Sequence, residues 1–421
     1  MAGKNPPGHR PDSSRDRARS SMQSCRSTVP HRRLYHKDRR KPFWTFTISF
    51  EEAQAFRRAS GGYLRKNQWE VLTVDVFDTQ LLIDFAATKF VDKIGYRICT
   101  VSSQVLSTVG LVLMAILPEL LPVPFLGILI AVVLYAMGSG LVEVLVSPIV
   151  EACPFENKGG MMSLLHSFYC WGAVGVIFGS TLFFTVFGLA NWKILTLIWA
   201  AVPLYNTFNF ITCPIERLVE DGESMRPRQL LKLPLFWLLI LLMVCSGASE
   251  ASMAQWASAF TESAMGVSKT VGDLAGPCLF AVFMGISRIV YGKMSEKLDL
   301  VRTMTVCGLL CVVCYLAASL ASLPIIALAG CALCGIAVGI MWPGSISISS
   351  QKCPRGGTAM FAFLALAGDL GATVSPAMVG NVSNMVGGNL KIGLLVATVF
   401  PLILVLCLIV LNRKFKHYDY L

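Results

Sequence analysis

Cys153-Pro154-Phe155-Glu156-Asn157-Lys158-Gly159-Gly160, followed by Trp171-Gly172-Ala173-Val174-Gly175, occurs a second time as Cys353-Pro354-Arg355-Gly356-Gly357 and then Ala367-Gly368-Asp369-Leu370-Gly371. The two copies are offset by 200 residues at their start and 196 at their end. A weaker echo links Val91-Asp92-Lys93-Ile94-Gly95-Tyr96-Arg97 with Met294-Ser295-Glu296-Lys297-Leu298-Asp299, about 204 residues on. Repetition at this period implies two related halves that face each other across a shared centre.

What lies between the repeated motifs is apolar. A span needs about 20 apolar residues to cross a hydrocarbon core of about 30 Å. From Val76 onward that window predicts eleven helices, near 77–95, 98–117, 124–147, 161–186, 190–212, 233–259, 273–294, 302–321, 324–348, 357–383 and 391–411. Composition agrees: 54% of residues are apolar, only 14% are charged, and the mean hydropathy is +0.62. So little polar surface cannot cover a soluble globule of 421 residues, and the fold class expected is an all-α membrane protein.

The net charge of +11 does not indicate a nucleic-acid partner, because residues 1–75 hold 16 of the 36 Lys/Arg against 7 Asp/Glu and the rest is nearly balanced. Cytoplasmic loops retain Lys and Arg. If the 92–97 loop is cytoplasmic, seventeen cations from Lys89 onward, Arg288 among them, fall on that side, and Lys193, Lys269 and Lys391 fall opposite. The carboxyl terminus is then cytoplasmic. The layout expected is a basic amino-terminal region over 1–76, a five-span bundle over 77–212, a cytoplasmic link at 213–232, and a six-span bundle over 233–421 with a short tail. Residues 1–76 are Arg/Ser/Pro-rich with no apolar span, and are read as disordered or as the product of a wrong start, frameshift or truncation that replaced the first helix.

Charges inside spans are expensive and usually kept for function. Glu143, Glu250 and Asp369 are the candidates for carrying a proton, since a carboxyl group held away from water can load and release one. Glu250 is followed by Gln255 and Trp256, an amide and an aromatic face suited to holding a sugar ring. His166 and Tyr169 crowd the span over 161–186 and, with Trp342, complete the candidate solute-binding set. Proline breaks at Pro148, Pro343 and Pro376 mark helices able to bend. Most of the fourteen cysteines sit in apolar runs and read as small packing residues. No metal ligand set is expected from them, and no cofactor.

Asp92, Lys93, Gly95 and Arg97, with the second copy at Glu296 and Lys297, resemble the loop signature of the major facilitator superfamily. Thr88 replaces its opening glycine, and Arg97 lies one place late. The stretch Gly138-x-Gly140-x-x-Glu143-x-x-x-Ser147-Pro148 is similar to the fucose:proton symporter-like branch, where asparagine stands in place of Ser147. Gly247-x-x-Glu250 with Trp256, Ile340-Met341-Trp342-Pro343, and Ser167-Phe168-Tyr169-x-x-Gly172 extend the likeness over about residues 77–412.

The resemblance implies two six-helix bundles, here without a normal first helix, and alternating access with proton-coupled uptake of a sugar or similar small polar solute. Glu143 would stand in the position of the branch's proton-linked carboxylate. The partners expected are that solute, a proton and the lipid bilayer of a bacterial-type plasma membrane, around a monomer. Proton-driven efflux of amphiphiles is the alternative within transport, though the late fifth-helix proline it calls for is missing. A sensor derived from the fold is the other alternative, but neither the link nor the tail is long enough for a signalling domain. An enzyme is not expected, since the spans hold no cluster of nucleophile and base, and no Gly-x-x-x-x-Gly-Lys-Ser/Thr loop supports an ATP-driven pump.

Overall fold

The computed structural model describes residues 79–87, 90–91, 93–215 and 224–415, all of them in the compact unit Thr45–Leu421. Among these residues ten helices are long and apolar enough to cross a membrane. They are α1 (Tyr96–Leu120), α2 (Pro124–Ala152), α3 (Lys158–Phe187), α4 (Leu189–Thr212), α5 (Pro234–Ser263), α6 (Val271–Met294), α7 (Leu300–Leu320), α8 (Pro324–Lys352), α9 (Gly357–Met385) and α10 (Leu390–Lys414). Each coincides with one expected window to within a few residues. Of the remaining window, 77–95, residues 79–87 are helical. The expectations for 1–76 lie outside the described residues, as does 216–223 of the link.

The helix starts follow local chemistry. Pro124, Pro234 and Pro324 open α2, α5 and α8, where a missing N–H costs nothing. Asn157 Oδ1 caps α3 by accepting from the Gly160 N–H at 2.8 Å, and Asp299 caps α7 through the Arg302 N–H at 2.8 Å. Gly95, just before α1, has φ +97°, a conformation that favours glycine and lets the chain turn sharply into the helix.

In lipid, helix association rests on close van der Waals packing rather than on expulsion of water. Glycines supply the approach. A Cβ on Gly138 of α2 would run into Ser103 and Ser107 of α1, and one on Gly371 of α9 would meet the Val244 and Ala248 backbone of α5. Gly247 of α5 likewise lies against the Gly368 backbone. The glycines of the second copy, Gly368 and Gly371, are therefore helix-contact positions, whereas Gly175 of the first copy faces open space. α1 packs on α2 and α4, α5 on α9, and α7 on α8 and α10, while α3–α6 and α2–α9 contacts join early helices to late ones. Large apolar side chains such as Phe178, Phe208, Val306, Ile325 and Leu406 are exposed, as a surface against acyl chains requires.

Candidate functional site

Glu143 lies midway along α2 and is half-buried. Gln80, on the 79–87 segment, donates from Nε2 to Glu143 Oε2 at 2.5 Å. Gly140 makes room for this, since its Cβ position is 3.1 Å from Gln80 Cγ. Glu143 lies within reach of the charges of both Asp369 on α9 and Glu250 on α5. The three carboxylates singled out in the sequence thus converge from helices far apart in the chain.

A fourth acid joins them. Asp84, one helical turn beyond Gln80, is 0% exposed; its charge acts on Asp369, and that of Glu143 acts on it. Among the described residues, no side chain or backbone group donates to either Asp84 oxygen or to Asp369 Oδ2. The rule that flagged the other acids applies equally to Asp84, which lies inside the 77–95 window and was missed.

Glu250 is held by Arg288 of α6, 3.0 Å from NH2 to Oε2. Arg288, counted with the cytoplasmic cations, is 1% exposed within α6, so it belongs to the protein interior and not to a loop. Its Nε donates to the Gly339 carbonyl at 2.7 Å, and NH1 donates to the His166 carbonyl at 2.8 Å and to Cys170 Sγ at 3.1 Å. The Gly339 bond has a covalent cause. Pro343 has no N–H to give the carbonyl four residues back, so α8 breaks there and the guanidinium takes the freed acceptor. Arg288 also lies 5.8 Å from the centre of the Tyr169 ring. Five donors in a rigid fork suit this bridging of α3, α5 and α8.

His166 Nε2 sits 3.3 Å from Ser147 Oγ, so two residues of separate motifs meet between α2 and α3. The six-membered ring of Trp342 packs against Gly368, next to Asp369 in the chain, where a Cβ would strike it. Trp256 and Gln255 lie roughly 8–9 Å further along α5 than Glu250, at about 1.5 Å per residue. The Trp256 Nε1–H is engaged by the Pro376 carbonyl at 3.0 Å and its ring covers Gly380, while Gln255 is half-buried.

The loop motif serves the membrane face that carries the 93–96, 153–158, 295–299 and 353–357 turns. Arg97 donates to the carbonyls of Phe210 at 3.3 Å and Ile211 at 2.6 Å, closing the end of α4. Lys93, Glu296 and Lys297 are exposed, and Asp92 lies outside the described residues. On the same face Asn157 Nδ2 donates to Ser295 Oγ at 2.7 Å, and Tyr96 bonds Thr358.

Ten apolar helices with internal repeats, closing on buried acids and one buried arginine, define a membrane transporter fold. The chain belongs to the Major Facilitator Superfamily, whose sequence profile matches residues 69–376. No curated protein matches it by sequence. Among solved structures it is similar to a variant of the E. coli fucose:proton symporter, with TM-score 0.72 and 14% identity over 85% of this chain and 92% of that one. A proton:xylose symporter bound to 6-bromo-6-deoxy-D-glucose gives TM-score 0.71 and 12% identity, over 87% and 92%. A bacterial homologue of the iron transporter ferroportin, in an outward-facing state, gives 0.66 and 14%, over 86% and 97%. At such identities the likeness is one of fold.

Proposed function

We propose that the chain is a proton-coupled secondary transporter of a sugar or similar small polar solute, working by alternating access, with Glu143 as its proton-bearing carboxylate. The observation that carries this reading is that Glu143 on α2 lies within reach of the charges of Asp369 on α9 and Glu250 on α5. A charge change at Glu143 alters the energy of helices from both ends of the chain at once. Glu143 is half-buried and, among the described residues, is hydrogen-bonded by an amide and paired with no cation, so it is the acid best able to exchange a proton with an entering water-filled path. Glu250, held by Arg288, is a structural partner that keeps the centre polar.

In this reading the helices to 212 and those from 234 rock about the centre, with 213–232 as a cytoplasmic link and the carboxyl terminus inside. His166, Ser147 and Tyr169 supply hydroxyl, imidazole and aromatic surface for a polyol, and Trp342 a wall beside Asp369. The protein works as a monomer in a bacterial-type plasma membrane. Labelled-sugar uptake by cells expressing the chain, with and without a protonophore and beside Glu143→Gln, tests the proposal. Accumulation that collapses with the gradient and is lost in Glu143→Gln is expected; uptake indifferent to both refutes the coupling.

A further inference from the structure

Within α8, regular helix stops at Val338 and resumes at Met341, so the span is two rigid pieces with a short break. α6 lies against that break: a Cβ on Gly335 would strike the Phe280 carbonyl, and one on Gly339 would meet Ser287 and the Met284 carbonyl. A helix end leaves carbonyls without donors of their own. Two consecutive residues of α6 supply them, Ser287 Oγ to the Ile336 carbonyl at 2.9 Å and Arg288 Nε to the Gly339 carbonyl at 2.7 Å. Beyond the break, Ser246 Oγ of α5 lies 3.3 Å from the Met341 carbonyl and 3.0 Å from Ser345 Oγ. Between these two sets of ties sits Trp342, 9% exposed, with its ring on Gly368.

The other arms of the same guanidinium reach into the first half of the chain. NH1 donates to the His166 carbonyl and to Cys170 Sγ on α3, and the Ser163 hydroxyl of α3 donates to the Arg288 carbonyl at 2.8 Å. A guanidinium is planar, with its five N–H groups in a fixed fork. NH1 cannot follow α3 without turning Nε off the Gly339 carbonyl. That carbonyl has no second donor within its own helix, because residue 343 is proline.

We propose that Arg288 is a positioning residue that couples the contact of α3 with α6 to the placement of Trp342. With α3 seated on α6, Nε holds the Gly339 carbonyl, α8 stays bent and Trp342 presses on Gly368. With α3 withdrawn, the fork turns, the carbonyl is released and the piece of α8 that carries Trp342 shifts. Glu250 anchors the fork through NH2 at 3.0 Å but does not set the bend. The inference rests on the proposed transport function for what Trp342 does to a solute; the linkage itself needs none.

Fluorine NMR of the full chain in detergent micelles, labelled with 5-fluorotryptophan and with no solute present, tests it. Of the eight tryptophan resonances, that of Trp342 is the one lost in Trp342→Phe. Pro343→Ala, which gives the Gly339 carbonyl a helical N–H, should shift it. So should Arg288→Lys, whose ammonium can hold Glu250 but lacks the fork. Removing the side-chain ties of α3 with Ser163→Ala and Cys170→Val together should shift it in the same direction as Arg288→Lys. Glu250→Gln, which keeps an acceptor for NH2, should leave it in place, and Trp192 and Trp237 should stay put in every variant. A Trp342 resonance unmoved in Pro343→Ala or in the α3 double variant overturns the coupling, and so does one that Glu250→Gln moves as far as Arg288→Lys. Shifts shared by Trp192 and Trp237 would mean general loosening and overturn it too. Should Arg288→Lys not be recovered folded, Pro343→Ala, which takes a helix breaker away, decides in its place. Wild type that takes up no sugar beside the expected shifts would defeat the transport reading alone.

Discussion

Replacing Arg288 by methionine removes four donor contacts and strands an acid. Glu250, whose side chain is 15% exposed, loses its ion-pair partner, a change that costs about 3–5 kcal/mol when one member of a buried pair is deleted. The Gly339 carbonyl, which Pro343 cannot satisfy, loses its donor for about 1 kcal/mol more. The His166 carbonyl keeps the Cys170 thiol at 3.6 Å and adds little. Arg288→Met should therefore destabilise the fold by about 4–6 kcal/mol.

Adding Glu250→Met removes the stranded acid, so the double variant should recover about 3 kcal/mol and stop short of wild type by the unsatisfied carbonyl. Reversible unfolding in mixed micelles with increasing dodecyl sulfate, read by helicity, measures all four corners of the cycle. Effects that add to within about 0.5 kcal/mol would show that Arg288 and Glu250 are not coupled, and would refute the argument.

Ser295→Ala deletes the tie to Asn157 while sparing the Asn157 cap on α3. At about 1 kcal/mol for one hydrogen bond it should raise the population with that face open about fivefold. Alkylation of native Cys353, followed by peptide mass spectrometry, reads this as a rise in rate. Burial pushes the Cys353 thiol from 9.0 up to about 11, so its thiolate is roughly a hundredfold scarcer near pH 8, and alkylation of the folded protein should keep rising about tenfold per pH unit beyond pH 9 and level off only near 11. Gly368→Ala should lower the melting temperature in detergent, by overpacking worth about 1–3 kcal/mol, and Trp342→Leu should restore part of the loss; an unaffected single variant would mean that Trp342 does not press on α9.

The spans were legible because bilayer thickness acts on local composition: α9 and α10 begin within a residue of the windows at 357 and 391. The glycine repeats were legible as a duplication, and the role of the second copy became clear only when Gly368 and Gly371 were seen packed against α5, which brings its own Gly247 to the contact. Three of the four central acids were found by the rule against charge in a span. Their convergence was not legible, since nothing local in α2 announces α9 two hundred residues on. Arg288 was misread for the same reason: an arginine six residues from a helix end looks cytoplasmic until its acceptors are known, and those lie on α3, α5 and α8. Pro343 was read as a hinge, and its chemical consequence, a free Gly339 carbonyl, needed the facing helix.

Proton movement measured alongside solute movement bears most directly on the account. The full chain is reconstituted into liposomes with a pH-sensitive dye inside, and each of a small panel of sugars is added outside without any imposed gradient. The account predicts that the sugar that is taken up acidifies the lumen, and that Glu143→Gln abolishes this proton flux while still exchanging labelled for unlabelled sugar. Sugar entry with no accompanying proton, or proton flux undiminished in Glu143→Gln, would contradict it.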